Sequence, residues 1–139
     1  MAAKARIPRR LREQVRERAG GHCEYCLVHE RYSIKSYQAD HIIAEKHGGQ
    51  AASVNLAWAC AVCNYLKGTD LTSIDPSSGK ITPLFNPRTQ RWSRHFRLRG
   101  ARIEPLTAIG RTTVHLLHLN DTERLDEREL LVHFGMYPW

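Results

Sequence analysis

The chain has 139 residues, 42% of them hydrophobic and 25% charged, with a formal net charge of +7. That length suits one domain with a modest core, and the composition excludes a disordered tail or a low-complexity chain. The longest apolar stretch, Leu56 to Val62, is far too short to span a bilayer, and no apolar segment follows the basic start, so neither a membrane span nor a secretory signal is expected. The expected location is cytoplasmic. Charge is unevenly spread: residues 1–18 carry net +5, 19–87 carry −1, 88–103 carry +6 and 104–139 carry −3. Two basic blocks around a near-neutral middle suit a polyanion held from both sides, although a solvated basic surface would look the same.

In chain order, Ile7 to Arg18 predicts a helix. Pro8 suits its first turn, Ile7, Leu11 and Val15 recur every four residues, and Gly20-Gly21 stop it. Tyr37 to Ile43 predicts a strand running into a turn, Leu56 to Ala59 a second short strand, and Ala61 to about Lys67 a helix closed by Gly68. Asp75-Pro76-Ser77-Ser78-Gly79 marks a hairpin turn between Ile74 and Ile81, and Phe96 to Ile103 a second hairpin around Gly100. A helix is expected from Thr107 to Leu119 with Ile109, Thr113, Leu116 and Leu117 on one face. Another is expected from about Asp121 to Phe134, with Leu130, Leu131 and Phe134 in the core.

All four cysteines fall in two pairs, Cys23-Glu-Tyr-Cys26 and Cys60-Ala-Val-Cys63, with 33 residues between them. Two residues between thiolates let a turn aim both sulfurs at one ion, and two such pairs complete the tetrahedral shell that zinc takes. Disulfides or a redox pair are the competing chemistries. Nothing in the sequence directs export, and a redox fold needs one pair, not two. Four thiolates fill the shell, so this zinc is expected to be structural, with His22 and His29 beside the first pair left outside it.

Between and after the pairs lie Asp40-His41-Ile42-Ile43, Gly48-Gly49, Asn55-Leu56 and Cys60-Ala-Val-Cys63-Asn64-Tyr65-Leu66-Lys67-Gly68. In order and spacing these resemble the four-cysteine, zinc-containing branch of the HNH endonucleases, within the ββα-metal nuclease superfamily. The resemblance covers roughly residues 7–71. It implies an α+β fold: a ββα-metal core stapled by zinc, preceded by a basic helix and followed by an extension of hairpins and helices over 72–139, all as one domain.

The resemblance also implies roles. Asp40 and Asn64 would hold a catalytic divalent ion, and oxygen donors favour Mg²⁺ or Mn²⁺. The amide of Asn64 stands where imidazole is common in the family, and is the weaker donor. His41 would be the general base, since an imidazole accepts a proton near neutral pH. Asn55 would bond backbone across the loop and orient His41. Taken singly, Asp40, Asn55 and Asn64 read equally well as turn or capping residues.

The expected partner is duplex DNA, gripped through its phosphates by Arg9, Arg10, Arg12, Arg16, Arg88, Arg91, Arg94 and Arg97, with Lys67 and His95 as further contacts. Arg99 and Arg102 extend the second block. Such contacts carry little sequence preference and weaken with salt. His47, in the loop, is a weaker candidate for the site. The expected activity is metal-dependent cleavage or nicking of phosphodiester bonds. The alternative is a zinc-stabilised nucleic-acid-binding module that does not cut. The sequence leaves the oligomeric state open.

Overall fold

The structure, a computed structural model, describes residues 7–138; Lys4 and Arg6 of the first basic block lie outside them. Helix α1 spans Arg9–Arg18, with Pro8 as its extended N-cap. Val15 is fully buried, while Ile7 and Leu11 pack against the same core, as their spacing requires. Past Ala19 the chain turns through Gly20 and Gly21, both at positive φ. A Cβ on Gly21 would run into the His29 ring, so glycine is needed there on two counts.

Strands β1 (Gln38–His41) and β2 (Leu56–Ala59) pair antiparallel, with Asp40 opposite Ala57 and His41 opposite Leu56. All of β2 is buried, which explains its unbroken apolar sequence. Helix α2 (Ala61–Lys67) follows at once, capped by the Cys60 thiol at its start and by Gly68 at its end. This β-β-α order, with α1 packed across β1 and β2, positions the site. The fold is α+β, built from helices and three small two-stranded antiparallel sheets.

Beyond residue 71, strands β3 (Thr72–Ile74) and β4 (Ile81–Pro83) form the first expected hairpin. Its turn is organised by Asp75, which accepts from the Ser77 N–H at 3.0 Å and the Ser78 hydroxyl at 2.9 Å. Helix α3 (Trp92–His95) was not legible in the sequence, being a single aromatic-rich turn. Strands β5 (Phe96–Arg99) and β6 (Arg102–Pro105) then form the second hairpin, and helices α4 (Ala108–Leu116) and α5 (Thr122–His133) complete the chain.

Arg111 of α4 reaches back to the buried Asp75 with two parallel bonds of 3.0 and 2.8 Å. Those bonds, with the Ser77 N–H, hold the Asp75 carboxyl well below the usual carboxylate range. A depressed folded-state pKa gives stabilisation that is present above the unfolded carboxylate's range and is lost as pH falls through the folded value. Asp75→Asn is therefore expected to lower the melting temperature at neutral pH. The gap to wild type should close as pH falls below the carboxylate range, which melting curves across pH would show.

The inward face of α5 differs from the expected one. Leu131 is buried, but Leu130 and Phe134 are 61% and 62% exposed. Arg128 takes the inner position instead: its guanidinium donates to the carbonyls of Ala101 at 2.8 Å and Leu119 at 2.6 Å, and to Asn120 Oδ1 at 3.2 Å. Those acceptors make a buried arginine tolerable where an unpaired one would not be. They also turn the Leu130–Phe134 ridge outward.

Among the described residues, no helix is long and apolar enough to cross a membrane.

Candidate metal centres and active site

The four cysteines meet at one point. Their sulfurs all lie within 4.8 Å of one another, and all four residues are buried. The Cys26–Cys60 sulfur separation of 3.8 Å matches the edge of a tetrahedron with zinc–sulfur bonds of about 2.3 Å, and is far too long for a disulfide of about 2.05 Å. Backbone N–H groups of Cys26 and Cys63 point at Cys23 Sγ and Cys60 Sγ at 3.5 and 3.4 Å, spreading thiolate charge. The donor set fits zinc, and fits a closed structural site rather than a catalytic one.

One neighbour of this centre was not foreseen. Arg124, on α5, places Nη2 3.2 Å from Cys63 Sγ and 3.7 Å from Cys60 Sγ, while Nη1 donates to the Leu117 carbonyl at 2.6 Å. Burial opposes its charge, but the Cys63, Cys26 and Cys60 sulfurs outweigh that and push its pKa up. Hydrogen bonds from the surrounding thiols likewise hold Cys26 well below the ordinary thiol range. His22 and His29 stay outside the cluster, with rings meeting edge-on at 4.8 Å, as a full four-sulfur shell requires.

The second centre lies where β1 ends against α2. Asp40, His41 and Asn64 line one cavity of about 470 Å³, together with Ala44, Glu45, Lys46, Tyr65, Gly68 and Thr69. Asp40 and His41 are themselves buried, at 8% and 5% exposure. His41 Nε2 has no hydrogen-bond partner among the described residues. An orphaned ring nitrogen in a buried position is costly unless something else comes to it. A carboxylate, an amide and an orphaned imidazole nitrogen around one cavity are a donor set that fits a hard divalent cation and its water. Tyr65, 84% exposed, forms part of the rim.

Asn55 bonds backbone on both sides of the loop after His41. Its Oδ1 accepts from the Ile43 N–H at 2.9 Å, and its Nδ2 donates to the carbonyls of Ile43 and Gln50 at 2.9 Å each. The loop after His41 is thereby pinned at three points. Gly49 belongs to the same arrangement, because a Cβ there would collide with the Ile43 carbonyl. His47 is exposed, in the turn that Glu45 begins.

Several expected phosphate contacts are engaged elsewhere. Lys67 is buried and paired with Asp40, so it does not reach solvent as a phosphate ligand. Arg12 lies over the Trp58 ring, 4.7 Å from its centroid, and donates to the Tyr37 carbonyl at 3.2 Å. Arg88 is largely buried against Glu24, whose other oxygen accepts from the Trp58 N–H at 2.7 Å. His95 bonds Thr107 Oγ1 at 2.6 Å and packs on Phe85, with burial and nearby Arg94 lowering its pKa. Desolvation and a ready partner decide each case, and neither is visible in a local sequence window. Arg16 pairs with Glu30 at 2.7 Å, and Arg97 shares Glu104 with Arg99, but these stay at the surface. Arg9, Arg10, Arg91, Arg94 and Arg102 are exposed.

No curated protein and no solved structure gives a significant match to the chain. The family model described as HNH endonuclease matches residues 23–70. That span opens on the first cysteine, runs through β1, β2 and α2, and closes just past Gly68, so it contains both centres in full. On that match, residues 23–70 are similar to the HNH endonucleases, and the clustered thiols are consistent with the four-cysteine form of that family.

Proposed function

We propose that the chain is a metal-dependent DNA endonuclease or nickase of low sequence specificity, with a structural zinc and a separate catalytic Mg²⁺ or Mn²⁺. The observation that carries this reading is the buried His41 Nε2, without a hydrogen-bond partner among the described residues, beside Asp40 and Asn64 on one cavity. Asp40 and Asn64 would hold the catalytic ion. When bound, it supplies positive charge to a phosphodiester that becomes more negative as it is attacked. His41 accepts the proton of the attacking water at Nε2, the new oxygen–phosphorus bond forms as the bond to the leaving sugar oxygen breaks, and that oxygen takes a proton from solvent to become a hydroxyl. By resemblance to the family, the ends left are 5′-phosphate and 3′-hydroxyl. Asn55 keeps the His41 loop rigid, so the imidazole meets the water in one orientation.

Duplex DNA is the proposed partner, held through its phosphates. The exposed arginines of α1, Arg9 and Arg10, and of the second block, Arg91, Arg94 and Arg102, support that grip. A zinc-stabilised binding module without cleavage is the second reading, favoured by the pairing of Asp40 with Lys67. Incubating supercoiled plasmid with Mg²⁺, Mn²⁺ or EDTA separates the two. Nicked product with either ion, suppressed by EDTA and by Asp40→Ala, is the expected result. No nicking above an Asp40→Ala control under any metal would leave only the binding module.

A further inference from the structure

Lys67 closes α2, where a helix-end lysine beside a glycine is expected to be solvated, yet its side chain is 3% exposed. The ammonium has three oxygens within reach: Asp40 Oδ2 at 3.1 Å, the His41 carbonyl at 3.0 Å and the Ile42 carbonyl at 3.3 Å. An ammonium has three donors and no acceptor, so three oxygens can occupy it completely. A buried cation matched in this way is a fixed part of the frame.

Two effects follow from that placement. The two carbonyls belong to the stretch where the chain leaves β1, so Lys67 fixes the path that presents Asp40 and His41 to the cavity. The charge also matters. Lys67 offsets Asp40, Asn64 is neutral, and Glu45 and Lys46 on the cavity wall offset each other. The charged groups around the cavity therefore sum to zero, a poor starting point for holding a divalent cation.

We infer that Lys67 is a positioning residue that holds Asp40 and the end of β1 in place, and that its charge keeps the protein's own affinity for a divalent cation low until a nucleic-acid phosphate adds negative charge at the cavity. The inference rests on the proposed roles of Asp40 and Asn64. By linkage, metal and duplex then each tighten the binding of the other by the same factor.

The test uses the full, zinc-loaded chain and Mn²⁺ as probe, with unbound Mn²⁺ measured by electron paramagnetic resonance, with and without a non-cleavable phosphorothioate duplex. Wild type should bind Mn²⁺ at least about tenfold more tightly with the duplex present. Lys67→Met, lacking the repelling charge, should bind Mn²⁺ without duplex on the order of tenfold more tightly than wild type, and should show a smaller effect of duplex. Lys67→Arg should behave as wild type, a rescue that a purely structural role does not predict. A folded, zinc-replete Lys67→Met protein that binds Mn²⁺ no better than wild type overturns the inference. Should that variant fail to fold, wild type decides: equal Mn²⁺ affinity with and without duplex overturns it. Asp40→Asn separates the layers. If that variant binds Mn²⁺ as wild type does, the assignment of Asp40 fails and the inference falls with it. If Asp40→Asn loses Mn²⁺ while Lys67→Met is unchanged, only the role of Lys67 is wrong.

Discussion

Replacing His41 by alanine is expected to reduce plasmid nicking by about 10²- to 10⁴-fold, the range set by loss of a positioned general base. The fold should survive the change. Among the described residues the imidazole's Nε2 makes no hydrogen bond, while the Lys67 contact at this position is to the His41 backbone carbonyl, which alanine retains. Melting temperature and zinc content should therefore stay near wild type while activity falls. Nicking rates at saturating Mg²⁺ or Mn²⁺ check the first half, and calorimetry with metal analysis checks the second. A His41→Ala protein that nicks at the wild-type rate would remove the general base from the mechanism altogether.

Stripping zinc is expected to have the larger structural effect. Four buried thiols cannot stay packed as thiolates without a cation between them, because like charges at that spacing repel strongly in a dry interior. In small zinc modules the ion contributes on the order of 10 kcal/mol at neutral pH, more than a domain's whole net stability. The core around it is also small, with β1, β2 and α2 contributing four, four and seven residues. Removal by a strong chelator, or Cys60→Ala, should therefore abolish the cooperative melting transition and collapse the near-ultraviolet signal of the buried Trp58. One zinc per chain by elemental analysis, with that transition restored on adding zinc back, is the expected companion result. Retention of a sharp transition in the metal-free protein would show that the hydrophobic core alone sustains the fold.

The parts of the molecule that were legible in the sequence are those with short-range causes. Cysteine pairs, a four-residue apolar spacing in α1, the Asp75–Gly79 turn and Gly68 after α2 each act within a few residues, and each lies where its pattern puts it. Asn55 was legible for a related reason, since an amide is the side chain that can serve a loop's N–H and C=O at once. What escaped was the fate of long cationic side chains. Lys67, Arg12 and Arg88 read as phosphate contacts, Arg124 and Arg128 drew no reading, and all five are at least partly withdrawn to partners elsewhere in the fold. Those partners are carbonyls, sulfurs, carboxylates, an amide oxygen and an aromatic ring, many of them tens of residues away in sequence and up to 64, beyond the reach of a local pattern. The charge excess is consequently a weaker guide to a nucleic-acid surface than its total suggests, because part of each basic block serves the interior.

Arg124 also has a consequence for the order in which the molecule is made. The four sulfurs are all available once the ribosome has released residue 63, so zinc can be captured from a short nascent chain, closing a loop of modest length. The guanidinium that offsets part of their charge lies 61 residues after Cys63, and the Tyr137 hydroxyl that donates to the Cys26 carbonyl lies 111 residues after that cysteine. The centre thus joins two kinds of contact: ligands drawn from within 41 residues of sequence, and a cover drawn from very high sequence separation.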